Sequence, residues 1–284
     1  IPSLLASAVC ASLALVADVS VASGGPSGPA VAFRSTGNIG EVIVNPYKVS
    51  PLTAVIRNGG YEIHNAVVRI VPKKGGQEIK YEVGDRQILN HGGIPVFGLY
   101  ADYLNTVEVE YDRVFNGKTE HFKDRYQFYT APVFFFSNGT NSQSSTSFDV
   151  KVTKTDPAFK DRLYFINNLV RNPPDGARMV WNNPSGGALE WQYNPENAII
   201  DSTGEVRWYL LPNQDMFDQE QPYKAGIMMG FHQNDDGTLT WGYGQRYVKY
   251  DIMGREVYNR LISPNYNDFS HALSVGENGH QFLR

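Results

Sequence analysis

The sequence predicts an all-β chain, with a small N-terminal β-sandwich domain followed by the first blades of a β-propeller. Three observations carry that expectation. Aromatic residues make up 13% of the 284, with 17 Tyr and 15 Phe beside 27 Gly and 16 Pro, a balance that suits strands and tight turns better than helices. Two stretches repeat one unit, IIDSTGEVRWYL (199–210) and KYDIMGREVYNRLI (249–262). Each runs strand, Asp-x-x-Gly turn, strand, with Asp201 and Gly204 in the places of Asp251 and Gly254. A second pair is interleaved with the first: MGFHQNDDGTLTWG (229–242) and HALSVGENGHQFLR (271–284) set Asp236-Gly237 and Asn278-Gly279 at hairpin turns. Units of roughly 40 to 50 residues built only from short strands bury their faces by stacking around an axis, as propeller blades do.

Taken in order, residues 1–23 read as the truncated remainder of a secretory signal, with an apolar run at 4–17 and the small residues Val21, Ala22 and Ser23 before the cut. That run is shorter than the ~20 apolar residues a span needs, so no membrane attachment is expected after cleavage; a membrane anchor is the alternative. Cys10 lies inside this segment, and no other cysteine follows it to support a disulfide. Residues 24–36, rich in Gly, Ser and Pro, form a flexible lead-in.

Over 37–136 short runs alternate apolar and polar: EVIVNPY, LTAVIRN, AVVRIVP and TVEVEYDRV, then TEHFKDRYQFYT after Asn116-Gly117. Val107, Val109 and Tyr111 set against Glu108 and Glu110 mark a strand with one buried face. Asn-Gly between two such runs marks a hairpin, and together these runs make the sandwich domain. Residues 137–155 are polar and form a linker. The remaining 156–284, at roughly 45 residues per blade, hold about three blades of a partial propeller. Three blades do not close a ring, and an end at Arg284 inside a hairpin leaves a sheet edge open. Either the sequence belongs to a longer protein or something else covers that edge.

Several function classes drop out. A net charge of −4 with no long basic run offers nothing to neutralise phosphates, so no nucleic-acid partner is expected. There is no Gly-x-Ser-x-Gly elbow, phosphate-cradling loop or dinucleotide fingerprint, and no cofactor is expected. No two histidines stand at metal-ligand spacing with a carboxylate, so no metal is expected either. Asp235-Asp236-Gly237 is explained by turn geometry alone. His232 and His280 flank hairpin turns and are expected at solvated ends, while His64, His91 and His121 fall in the first domain. His271 is the catalytic candidate, because it opens the last repeat, where propeller strands meet the central channel. The competing reading makes it a hydrogen-bonded residue at the start of an inner strand.

Five strings in order are more specific: GNIGEVIVNPYKVSPLTAVI (37–56), GGIPVFGLYADY (92–103), AFKDRLYFIN (158–167), YDIMGREVY (250–258) and SHALSVGENG (270–279). Together they resemble the bacterial periplasmic arylsulfate sulfotransferases, over about the first half of a family member. The resemblance implies a six-bladed propeller behind a small sandwich, as a homodimer in the periplasm. It implies transfer of a sulfuryl group from an aryl sulfate donor to a phenol acceptor by a ping-pong route through a sulfated histidine. That nucleophile would lie downstream of Arg284, leaving residues 1–284 inactive alone. Of the family's active-site residues only His271, in Ser270-His271-Ala272-Leu273, is matched by position. The resemblance also implies substrate-binding roles for Tyr126, reaching the acceptor channel from the partner subunit, and for Trp191; core packing is the competing reading for both. Ile227 stands where the family can have a tyrosine.

Sulfuryl transfer between oxygens builds charge on the non-bridging oxygens and on the departing phenolate, so a fixed N–H donor in a dry channel lowers the barrier. An imidazole with an ordinary pKa of about 6.5 can donate there or protonate the phenolate. His271 is therefore expected as a donor and not as the nucleophile. The alternative from another class is a non-catalytic ligand-binding or assembly propeller.

Overall fold

The computed structural model describes residues 33–35, 37–133, 150–171, 193–210, 229–243, 246–263, 265, 273–276, 278 and 280–283. The first part is a sandwich of two antiparallel sheets. Its strands are β1 (Phe33–Ser35), β2 (Val42–Val44), β3 (Thr53–Arg57), β4 (Glu62–Ile70), β5 (Ile79–Val83), β6 (Gly93–Phe97), β7 (Tyr103–Phe115) and β8 (Lys118–Thr130). One sheet runs β1-β8-β7-β4-β5 and the other β2-β3-β6.

The alternation read from the sequence sets the faces. Val107, Val109 and Tyr111 on β7 have no exposed surface, while Glu108 and Glu110 keep contact with solvent. Ile56, Val68, Ile94 and Phe128 join them in one core, each such side chain stabilising the fold by about 1.5–3 kcal/mol through burial. Asn116 and Gly117 close β7 on β8 with φ of 50° and 72°, the left-handed pair that gives a two-residue hairpin the twist of its strands.

The sequence reading contained no helix; among the described residues the structure adds a 3-10 turn at Pro157–Phe159 and an α-helix, α1 (Asp85–His91). Its ends are set by Gly84, whose N–H donates to Gln87 Oε1 at 3.0 Å, and by Gly92 at φ 63°. It buries only Ile88, so no apolar periodicity announces it.

The second part is built of antiparallel meanders. Strands β9 (Leu163–Arg171), β10 (Tyr193–Asp201) and β11 (Val206–Leu210) form one sheet, and β12 (Met229–Gln233), β13 (Leu239–Tyr243), β14 (Arg246–Tyr250) and β15 (Glu256–Leu261) form a four-stranded one. A hairpin of β16 (Leu273–Val275) and β17 (Gln281–Leu283) follows. A four-stranded meander has the shape of a single blade; among the described residues no sheet closes into a barrel.

The repeat is structural. Gly204 N–H donates to Asp201 O and Gly254 N–H to Asp251 O, both at 3.0 Å, with glycine φ of 88° and 89°. Each turn follows the same bulge, so that Ile200 pairs with Val206 and Tyr250 with Glu256. The interleaved hairpins also lie where expected, with Gly237 at φ 76° and Asn278 at φ 60°.

Two cores meet on β11. Trp208 and Leu210 point into an aromatic core shared by the three-stranded and four-stranded sheets, while Tyr209 joins the core of the sandwich. Arg207 points the same way as Tyr209 and is fully buried. With no solvent-facing side, this strand departs from the half-buried alternation of β7.

Candidate functional site

Two of the three candidate site residues, His271 and Trp191, lie outside the described residues. The strand after His271 is described: β16 lies alongside β12 and β13. The first strands of the two interleaved repeats are thus neighbours, with β12 forming an edge of its sheet. Inner strands of consecutive blades have this relation in a propeller.

Tyr126, on β8, is fully buried in the sandwich core. Its hydroxyl accepts from Ile39 N–H at 3.3 Å and donates to Asp124 Oδ2 at 3.3 Å, and its ring fills the space a side chain on Gly37 would need. Burial pushes the phenol pKa up. The same carboxylate accepts from Asn38 N–H at 2.6 Å and from Tyr111 Oη at 3.0 Å. In this arrangement Tyr126 fastens the entry of the chain into the domain.

The aromatics that the structure does bring together are others. Trp208, Phe165, Phe231, Trp241 and Tyr250 stand in file in that order, with successive ring centroids 4.8–5.9 Å apart, spacings at which such pairs attract beyond simple burial. They cement the sheets to each other. Trp208 Nε1 also donates to Ile252 O at 2.7 Å, tying β11 to the second Asp-x-x-Gly turn.

Both repeated turns dock on the sandwich domain. At the first, Arg207 Nε donates to Gly98 O at 3.0 Å, and its Nη1 donates to Gln77 O at 2.9 Å and Asp201 Oδ2 at 2.8 Å. The guanidinium lies 3.7 Å from the centroid of the Tyr100 ring, and Ser202 N–H donates to Gln77 Oε1 at 3.0 Å. At the second, a Cβ on Gly254 would stand 2.6 Å from Val49 Cγ2, so the loop after β2 sits directly on the turn. His91, at the end of α1, reaches the same place. Sequence reasoning missed this seam, although a lone arginine in the apolar run Val206–Leu210 was a usable signal.

The remaining histidines lie as expected at the hairpin ends: His232 and His280 are exposed. His64 is held above its ordinary pKa by hydrogen bonds to Glu62 and Asp85. Among the described residues no group of His, Cys, Asp or Glu is placed to hold a metal, and no helix is long and apolar enough to cross a membrane.

A sandwich clamped by two repeated turns onto antiparallel meanders defines a two-part all-β protein, and both parts match known families. The family model described as "Arylsulfotransferase Ig-like domain" matches residues 41–131, and that described as "Arylsulfotransferase (ASST)" matches 149–284. The chain belongs to the arylsulfotransferase family. It is 32% identical to the arylsulfate sulfotransferase AssT of Lelliottia amnigena, over 99% of this chain and 48% of the relative. Against AssT of Escherichia coli O6:H1 the figures are the same: 32% identity over 99% of this chain and 48% of the relative. The chain spans about half the length of the curated relatives it matches.

Proposed function

We propose that this chain is part of an arylsulfate sulfotransferase that moves a sulfuryl group from an aryl sulfate to a phenol. The observation that carries this reading is the match of both parts, in order, to arylsulfotransferase models, with 32% identity running through 99% of the chain. The meanders are taken as the first blades of a six-bladed propeller, and the protein as a periplasmic homodimer exported by the segment at 1–23; these features rest on the resemblance.

In the first half-reaction a histidine nitrogen attacks sulfur, the bond from sulfur to the aryl oxygen breaks, and the electron pair leaves on the phenolate, which takes up a proton. In the second, the acceptor phenol loses its proton as its oxygen attacks the same sulfur, and the N–S bond breaks to restore the imidazole. His271 donates an N–H to a non-bridging sulfuryl oxygen or protonates the leaving phenolate. Support for its position comes from β16, which begins two residues later and runs beside β12. The nucleophile belongs outside residues 1–284, so these residues alone carry no transfer.

The test is incubation with 4-nitrophenyl sulfate and phenol, followed by mass spectrometry for an SO3 adduct on histidine. A version extending over the full length of the relatives is expected to release nitrophenolate and carry the adduct, and the 284-residue chain to do neither. Transfer by the 284-residue chain overturns the placement of the nucleophile. A full-length version with neither turnover nor adduct overturns the enzymatic reading and favours a ligand-binding scaffold.

A further inference from the structure

The two repeated turns grip the sandwich domain by different chemistry. At the first, the group reaching across is Arg207, a cation at every accessible pH. At the second it is His91. Its Nδ1 lies 2.8 Å from Tyr47 Oη and its Nε2 lies 3.7 Å from Asp251 Oδ2, with the side chain only 7% exposed. Asp251 is already engaged: its Oδ1 accepts from Met253 N–H and Arg255 N–H, each at 3.0 Å, and its Oδ2 accepts from Arg255 Nε at 2.9 Å. The ionisable groups facing His91 are therefore Tyr47 from the loop after β2, and Asp251 and Arg255 from the turn. Nothing in the proposed transfer uses any of them.

We propose that His91 makes the contact between the sandwich domain and the 251–255 turn pH-dependent, tight while the imidazole is neutral and loosened when it takes a proton. In the neutral form Tyr47 O–H donates to Nδ1, and Nε2–H faces Asp251. Protonation turns Nδ1 into a second donor, so the phenolic hydrogen must swing away from it. It also sets two cations, His91 and Arg255, on one carboxylate in a site largely closed to water. Burial depresses the His91 pKa, with Arg255 acting in the same direction and Asp251 against. A base whose pKa is lower in the docked state leaves docking intact above its free value, about 6.5. It weakens docking as the pH falls below that value, fully so once the pH passes the docked pKa.

Hydrogen exchange followed by mass spectrometry on the whole chain tests this. After correction for intrinsic rates, amides of 47–50 and 251–255 are expected to exchange more than about twofold faster at pH 5.5 than at pH 7.5. Those at the Asp201 turn, held by Arg207, are expected to change little. His91→Asn, whose amide oxygen can still accept from Tyr47 but which does not titrate, should abolish the difference. Arg255→Gln frees Asp251 to pair with the imidazolium, and the His91 pKa seen by NMR should rise. A wild-type chain with no pH response, a His91→Asn chain that keeps it, or an unchanged His91 pKa in Arg255→Gln would each overturn the proposal. The last measurement is made on a chain that retains His91 and so does not depend on folding of the His91→Asn variant.

Discussion

Replacing Arg207 by Met is expected to be among the most damaging single changes in the chain, and the structure says why. The guanidinium and its partner Asp201 both have 0% side-chain exposure and are 2.8 Å apart. Removing the cation leaves Asp201 Oδ2 without that partner and frees the carbonyls of Gly98 and Gln77 that Arg207 bound. Breaking a buried pair from one side costs about 3–5 kcal/mol, because the surviving charge stays buried. One nitrogen of Arg207, Nη2, is buried with no partner among the described residues, a desolvation cost that its stacking on Tyr100 offsets only in part. The net worth of the intact pair is therefore smaller than the cost of halving it. Arg207→Met combined with Asp201→Asn, which removes both charges, should accordingly be more stable than Arg207→Met alone. Urea unfolding monitored by tryptophan fluorescence is well placed to read this, since Trp208 is the next residue. At roughly 2–4 °C per kcal/mol for a chain of this size, the single change lowers Tm by about 10 °C. A single variant within 1 kcal/mol of wild type, or a double variant no better than the single, would refute the reasoning.

Alanine at three turn glycines should rank by surroundings, since all have positive φ, at 76° for Gly237, 88° for Gly204 and 89° for Gly254. Gly237→Ala, in open space, costs about 1 kcal/mol of backbone strain. Gly204→Ala, with Val150 and Val152 side-chain atoms 3.2 Å from the new Cβ, costs more, and Gly254→Ala, against Val49 at 2.6 Å, costs most; a different order in chemical unfolding contradicts this. Asp236, although burial opposes ionisation, is held at about 2 by Lys249 and Thr238. A depressed carboxylate stabilises above its free pKa, near 3.8, and that stabilisation is lost as the pH falls through about 2. Lys249→Met should remove part of it, a few tenths of a kcal/mol after solvent screening, seen as a flatter acid limb in stability against pH. His271→Ala, in a version competent for transfer, should cut turnover about 10²-fold or more if the imidazole stabilises developing charge; an unchanged rate returns it to packing.

What could be read from the sequence was local. Asp-x-x-Gly and Asn-Gly fix their own backbone through short-range bonds and positive φ, so both repeats and the β7–β8 hairpin stand where residue spacing put them. The inward turn of Tyr126 was also legible. Asp124, Tyr126, Phe128 and Thr130 are all buried on one face of β8, the face that period-two counting selects. What escaped was long-range. Nothing near Arg207 in sequence shows that Gln77 and Gly98 wait for it, and nothing near His91 names Asp251. The short helix α1, with one buried residue, has too little of a pattern to be seen.

Strand β11 bears on how such proteins can be recombined. A chimaera that borrows a relative's sandwich while keeping these meanders would set an unfamiliar surface against Arg207 and Tyr209. It would strand a guanidinium unless carbonyls like those of Gln77 and Gly98, and a ring like that of Tyr100, came with the graft. The match boundaries at 131 and 149 are therefore poor crossover points on their own. A workable exchange takes both sides of the seam together.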